Sequence, residues 1–334
     1  MPPTWPPPAA SCRGCSRRAR SAGALVRATL LAAALVASGV APALAPPQDC
    51  ARVDTATAAA LPADRAPRVV LLQGSLGIVT MAPMGEFLRD MGYPAAALVD
   101  PRTGEMTTDS DLDGRTLAGM LAWQYERDGV RPMIVGHSKG GGVVIDTLRA
   151  LAGAYGDDLA LVDPRTLAPE PRTRYLDPVT GEAHRVVDLR LPFAAAIATG
   201  RLPRILRGQF ELAAVLRDVP DSAERFVGFA IPYDPIAGTF AGDEDPYRAT
   251  GHASVRNVVL PATTSHIAAP RAAHLAHDPA TRAWIDAYLP GAQRPVPEGV
   301  DTTNLVQAAE LWYAIKRAWC GEAQRANGHA PGAS

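Results

Sequence analysis

Neither sign of charge is in excess: 33 lysine and arginine residues face 34 aspartate and glutamate residues, for a formal net charge of −1 over 334 residues. Without a basic excess no nucleic-acid partner is expected, and without an acidic block no disordered acidic tail is. Lysine itself is nearly missing, with only Lys139 and Lys316 among many arginines, alanines and prolines. That bias reads as codon usage in a GC-rich genome and carries no functional information. Cysteine is scarce, with four residues in all, and no internal repeat is found. Apolar residues nonetheless make up 47% of the chain, enough to bury one large core.

The single long apolar run sits near the start. Basic residues Arg13, Arg17, Arg18, Arg20 and Arg27 lead into Ala28 to Val40, and small residues close the run as Ala41-Pro42-Ala43-Leu44-Ala45. Basic, apolar, then small-x-small is the layout of an export signal over 1–45, with cleavage after Ala43 or Ala45. An uncleaved membrane anchor is the alternative, because the run nears spanning length if Ala41 to Ala45 are included. Membrane contact is expected only through this segment, and the mature protein is expected to be secreted or periplasmic. Cys12 and Cys15 lie within the leader, so a metal or redox reading of their C-x-x-C spacing is poor. Removing the leader leaves Cys50 and Cys320. In an oxidising compartment the simple inference is one disulfide between them, and two free buried thiols are the other reading.

Residues 46–66 read as a linker, and from Arg68 the pattern becomes regular. Strand character over Arg68 to Leu72 is followed by helix around Met84 to Met91 and by a strand over Ala95 to Val99. Helix over Leu112 to Arg127, strand over Pro132 to Val135 and helix over Gly140 to Leu151 come next. This alternation predicts an α/β fold, a mostly parallel sheet with helices on both faces. The middle is less regular. Asp177 to Glu182 suggests a hairpin tip, Val186 to Leu191 a return to the sheet, and Ala194 to Arg217 helical material. A lid or insertion over about 155–222 follows from that reading, with Ala194 to Arg217 serving equally well as plain core helices. Strands at Phe226 to Ile231 and Val255 to Leu260, and a helix over Pro279 to Leu289, complete a domain spanning 67–290. A helix from about Thr303, with Leu305, Ala308, Trp312, Ile315 and Trp319 on one face, dominates the C-terminal part, 291–334.

The apolar strand Met133-Ile134-Val135 runs into Gly136-His137-Ser138-Lys139-Gly140-Gly141 and then into an apolar helix. A serine on a tight strand-to-helix turn projects its hydroxyl, and the flanking glycines are needed because side chains there would collide. A serine hydroxyl is a poor nucleophile until an oriented base takes its proton. In a fold of this order the acid and then the histidine follow the serine. His266, just past the strand Val255 to Leu260, is the leading base, with His252 next. Asp234 caps the strand Phe226 to Ile231, with Asp243 and Asp245 as fallbacks. An oxyanion needs two aimed backbone donors, for which the amides of Lys139 and Ser75 are chosen. Asp109-Ser110-Asp111-Leu112-Asp113-Gly114 begins like a calcium loop, but its twelfth position is Met120 rather than glutamate. An acidic helix N-terminus is the better reading, and no metal or cofactor is expected.

These segments resemble the bacterial extracellular lipase and esterase families of the α/β-hydrolase superfamily. The resemblance spans about Arg68 to Leu289. It rests on Gln73-Gly74-Ser75-Leu76-Gly77, which is similar to the lipase H-G-x-L-G loop, on the Ser138 elbow, on Tyr233-Asp234-Pro235-Ile236 and on Ser265-His266. It implies carboxylic ester hydrolysis through an acyl-enzyme, with a small-molecule or lipid ester as substrate. Gln73 departs from the usual histidine, and Leu191-Pro192-Phe193-Ala194 replaces a proline-histidine-glycine turn, so acyl preference does not carry over. The same triad would serve thioesters, amides or polyesters, and a binding protein without turnover is the reading from a different class.

Overall fold

Short runs of apolar residues bounded by proline, glycine and turn residues set the strands, and amphipathic runs between them set the helices. The computed structural model describes residues 49–75, 79–239 and 245–328. The expected export signal with Cys12 and Cys15, and also Leu76, Gly77 and Asp243, lie outside the described residues. In chain order the elements are α1 (Thr55–Ala59), β1 (Val69–Leu72), α2 (Ala82–Asp90), α3 (Gly114–Asp128), β2 (Met133–His137) and α4 (Lys139–Leu151). The hairpin β3 (Arg174–Leu176) and β4 (Ala183–Arg185) leads to β5 (Ala194–Ile197), α5 (Leu202–Leu206), α6 (Phe210–Val215) and β6 (Asp218–Val219). Then come β7 (Arg225–Ala230), β8 (Arg248–Ala249), β9 (Ser254–Val259), α7 (Ala273–His277), α8 (Pro279–Asp286) and α9 (Leu305–Gly328).

Five strands form one parallel sheet in the order β1-β2-β5-β7-β9. The register sets Leu71 beside Val135, Val135 beside Ala195 and Ala195 beside Val227. Those residues face one apolar layer, with Phe87 of α2, Leu275 of α7, Ile285 of α8 and Trp312, Ile315 and Trp319 of α9. Their strand neighbours Val70, Ile134, Ala194 and Phe226 face the opposite layer, with Leu117 and Leu121 of α3 and Val144 and Leu148 of α4. A parallel sheet covered on both faces explains why the central strands are apolar throughout rather than alternating.

Three expected elements are corrected. Ala95–Ala97 forms a 3-10 turn instead of a strand. Alanines carry no branched carbon to favour a pleated sheet, and among the described residues the far edge of β1 is met by a Leu72–Thr108 bridge. Val186–Asp188 is also a 3-10 turn, tied by the Asp188 carboxylate, which accepts from the Arg185 amide and guanidinium. The strand of that region is Ala194–Ile197, where helix was expected. Burial on both faces, between β2 and β7, overrides the helical preference of its alanines. Because β5 is the central strand, 155–222 is not one insertion; the hairpin and the α5–α6 pair lie off the sheet. That pair also does not consist of plain core helices, since Leu206 is 77% and Phe210 64% exposed.

The segment before β1 is more than a linker. Val53, Ala58 and Leu61 join the layer containing Trp312, and Trp312 Nε1 donates to Thr55 Oγ1 at 2.9 Å. Cys50 and Cys320 form a disulfide with Cα atoms 5.5 Å apart. α9 is integral to the core: Trp312 and Trp319 are fully buried, each ring system worth roughly 5 kcal/mol of apolar burial as an upper figure. Buried Glu322 on α9 receives Arg131 and Arg325, pinning the helix beside the start of β2. The guanidinium of Arg131 and both arginine hydrogen bonds outweigh the cost of burial, and the Glu322 carboxyl sits below its ordinary range. No helix among the described residues is long and apolar enough to cross a membrane.

Candidate active site

Ser138 is the single residue between β2 and α4, with φ 52° and ψ −111°. A non-glycine residue held there stores roughly 1–3 kcal/mol of backbone strain. The strand and helix approach closely enough to impose it because Gly136 and Gly140 lack side chains. A Cβ on Gly136 would fall inside contact distance of the Gly140 backbone, and one on Gly140 would strike the Leu72 carbonyl. Ser138 thus stands at the carboxyl edge of the sheet, where open parallel sheets present functional groups.

The loops after β7 and β9 bring Asp234 and His266 to the same edge. His266 Nε2 lies 3.0 Å from Ser138 Oγ, and its Nδ1 lies 2.6 Å from Asp234 Oδ2. Asp234 is reached through Tyr233, whose φ of 57° turns the chain sharply. The other carboxylate oxygen, Oδ1, accepts the amides of Ile236 at 2.9 Å and Ala237 at 3.1 Å. Burial alone would raise the Asp234 pKa. The His266 hydrogen bond, its charge and the two amides win, holding the carboxyl below the ordinary carboxylate range. A carboxylate facing Nδ1 assigns the ring proton to that nitrogen, which leaves the Nε2 lone pair to accept the serine proton.

The other acid and base candidates are placed elsewhere. His252 is exposed and sits 3.2 Å from Asp221. Asp245 pairs with Arg201 at 2.9 Å and Arg217 at 3.2 Å. His274 and His277 lie on α7, with His277 Nε2 2.8 Å from Asp90. Of the calcium-like run, Asp113 caps α3 by accepting the Thr116 amide at 2.9 Å, and Asp111 pairs with Lys139.

On the oxyanion side, Lys139 opens α4, whose first-turn amides have no helical partner. The loop after β1 packs against that turn through the Leu72 and Gln73 carbonyls. Within the loop the Gln73 amide goes to Thr108 O and the Gly74 amide to Val79 O, both at 3.0 Å, and Ser75 carries the next amide along. Ser75 Oγ accepts from Arg207 at 3.2 Å. Arg204 lies under the first turn of α4, 4% exposed, with no carboxylate within 4 Å among the described residues. It donates to Lys139 O at 2.7 Å and to Gln209 Oε1 at 3.1 Å. Burial, with Arg207 nearby, pulls its pKa down to about 10, so it stays charged at neutral pH.

Three contributors were not visible as such in the sequence. His137 is fully buried beneath the elbow, and its Nε2 donates to the carbonyl of His266 at 2.9 Å. Burial, together with the neighbouring His266, pushes its pKa down to about 3, so it is a neutral donor at working pH. Thr199 and Arg204, from the segment after β5, bond to carbonyls of the elbow. Their only sequence signal is the run of glycines 140–142, which leaves space for something to approach α4.

Around the opening, Tyr233, Ile236 and Ile267 are exposed beside Asp234 and His266. They give that side of the opening an apolar rim, whereas Phe210 lines a separate groove with Asp146 and Arg149 of α4 and Tyr155 beyond it. The arrangement can take a proton from Ser138, hold it on a buried imidazole and return it to a departing group. Comparison with protein-family models, with curated proteins and with solved structures finds no match to this chain.

Proposed function

We propose that this chain is an exported serine hydrolase of the α/β-hydrolase type that cleaves carboxylic esters. The unbroken hydrogen-bonded line from Asp234 through His266 to Ser138 carries the reading. In this mechanism Ser138 Oγ attacks the acyl carbon as its proton passes to His266 Nε2, and Asp234 stabilises the imidazolium. The amides of Lys139 and Ser75 hold the tetrahedral oxyanion. His266 then protonates the leaving alcohol, an acyl-enzyme forms, and a water activated by the same imidazole releases the acid. The chemistry needs no cofactor.

The apolar rim of Tyr233, Ile236 and Ile267 favours an ester with an apolar portion, a small molecule or a lipid. The α5–α6 pair, whose connecting Arg207 donates to Ser75 Oγ, serves as part of a lid in this reading. Export is supported by the leader composition and by the Cys50–Cys320 disulfide. A fluorophosphonate label tests the nucleophile: stoichiometric modification at Ser138 is expected, and an unlabelled chain would make it a binding protein without turnover. A p-nitrophenyl ester series of rising acyl length then reads the chain preference. Thioester, amide or polyester turnover without ester turnover would move the substrate class on the same triad.

A further inference from the structure

The peptide joining Ser138 to Lys139 has two ends with different jobs in the proposed reaction. Its N–H belongs to Lys139 and faces the oxyanion; its C=O belongs to Ser138 and points the other way along the same rigid plane. Whatever grips the carbonyl therefore sets the aim of the donor. Thr199 Oγ1 lies 3.2 Å from Ser138 O. The helix's own amide for that carbonyl, from Gly142, is at a longer 3.4 Å. Thr199 is buried and follows Ala198, whose φ of 50° bends the chain at the end of β5 and turns Thr199 toward α4. The bond exists only because residue 141 is glycine: a Cβ there would overlap Thr199 Oγ1. The Thr199 hydroxyl has one proton and a second acceptor, Ile197 O, at 3.4 Å; the shorter contact is to the elbow.

Resting on the triad reading, we infer that Thr199 is a positioning residue of the oxyanion hole. Its hydroxyl donates to Ser138 O, which fixes the plane of the Ser138–Lys139 peptide. Because hydrogen bonds in series polarise one another, it also strengthens the Lys139 N–H as a donor. Arg204 braces the next peptide in the same way, through Lys139 O at 2.7 Å. Thr199 touches no substrate, and its effect is felt where charge develops on the oxyanion, so it acts on kcat with little effect on KM. Losing an oxyanion donor outright costs about 10²–10³ in kcat, and losing its brace is expected to cost about tenfold.

The experiment compares wild type, Thr199→Val and Thr199→Ser on a p-nitrophenyl ester, with affinity for a trifluoromethyl ketone that adds to the serine. Valine keeps the shape and removes the hydroxyl; serine keeps the hydroxyl. Thr199→Val should lose about tenfold in kcat at constant KM and weaken trifluoromethyl ketone binding by the same factor. Thr199→Ser should recover most of both. A purely structural role would lower the melting temperature and would not produce matched losses in kcat and transition-state-analogue affinity. Wild-type kcat in a folded Thr199→Val variant, or a loss that serine does not restore, overturns the inference. An inactive and unlabelled wild type would instead overturn the triad reading beneath it.

Discussion

Replacing Asp234 with asparagine changes one atom and should nearly silence the site. The two carboxylate oxygens have different obligations. Oδ1 accepts two backbone amides, from Ile236 and Ala237, and Oδ2 faces His266 Nδ1 at 2.6 Å. An asparagine can turn its carbonyl to only one of these sides. Turning its NH2 toward the two amides sets donors against donors in a buried loop, at about 1–3 kcal/mol for each group left unsatisfied. The carbonyl therefore stays with the amides, and the NH2 faces His266. Nδ1 must then accept, the ring proton moves to Nε2, and the lone pair that would receive the Ser138 proton is gone. The equivalent wrong-tautomer change in serine proteases costs about 10⁴ in kcat, or about 5 kcal/mol in barrier. The assay is kcat on a p-nitrophenyl ester for Asp234→Asn beside Asp245→Asn, which loosens Arg201 and Arg217 and should cost little in rate. An Asp234→Asn enzyme within tenfold of wild type, or a larger loss at Asp245, would refute the assignment of the acid.

Ser138→Ala should abolish ester turnover with melting temperature nearly unchanged, since a lost elbow hydroxyl removes no core packing; full activity in that variant sinks the mechanism. Stability should fall as pH drops from about 6.5 to 3, because His137 is neutral and buried when folded, at a pKa of about 3. The unfolded chain binds that proton near 6.5. The stability it contributes is therefore complete above pH 6.5 and lost progressively down to 3, by about 5 kcal/mol as an order of magnitude. Urea midpoints of His137→Gln should flatten relative to wild type across that window; parallel curves would count against it. Reducing the Cys50–Cys320 bridge, which closes a loop of 270 residues, should remove up to about 5 kcal/mol on the chain-entropy model. Activity at low temperature should survive, because Cys50 shares a surface groove with Arg131 and Arg225, at the opposite ends of the strands from Ser138; immediate loss of activity on reduction would contradict that placement.

The triad was legible because its signal is local. Glycines around Ser138, a strand end before Asp234 and another before His266 can each be read in a few residues, and chain order does the rest. Strands were legible where branched residues built them, as at Val69–Leu72 and Met133–His137. Ala194–Ile197 was read as helix because nothing in four alanine-rich positions announces that they fill the middle of a sheet. The supporting contacts were out of reach for another reason. His137 bonds a carbonyl 129 residues away and Thr199 one 61 residues away, so their partners are fixed only by sheet order. The linker reading of 46–66 failed likewise, since Val53, Ala58 and Leu61 become core residues only against α9.

The bridge from Cys50 to Cys320 turns everything between them into a covalent ring. A single protease cut in that ring yields no separate fragments, only a ring opened at one point. The exposed turn at Thr180-Gly181, at the tip of β3 and β4, offers such a place at the surface, away from the five-stranded sheet. A nicked molecule would run as two pieces only on a reducing gel and would keep the loops that carry Ser138, Asp234 and His266 in register. The same closure lets the order of the elements be rewritten, with new ends at that turn and the old ones joined across the bridge.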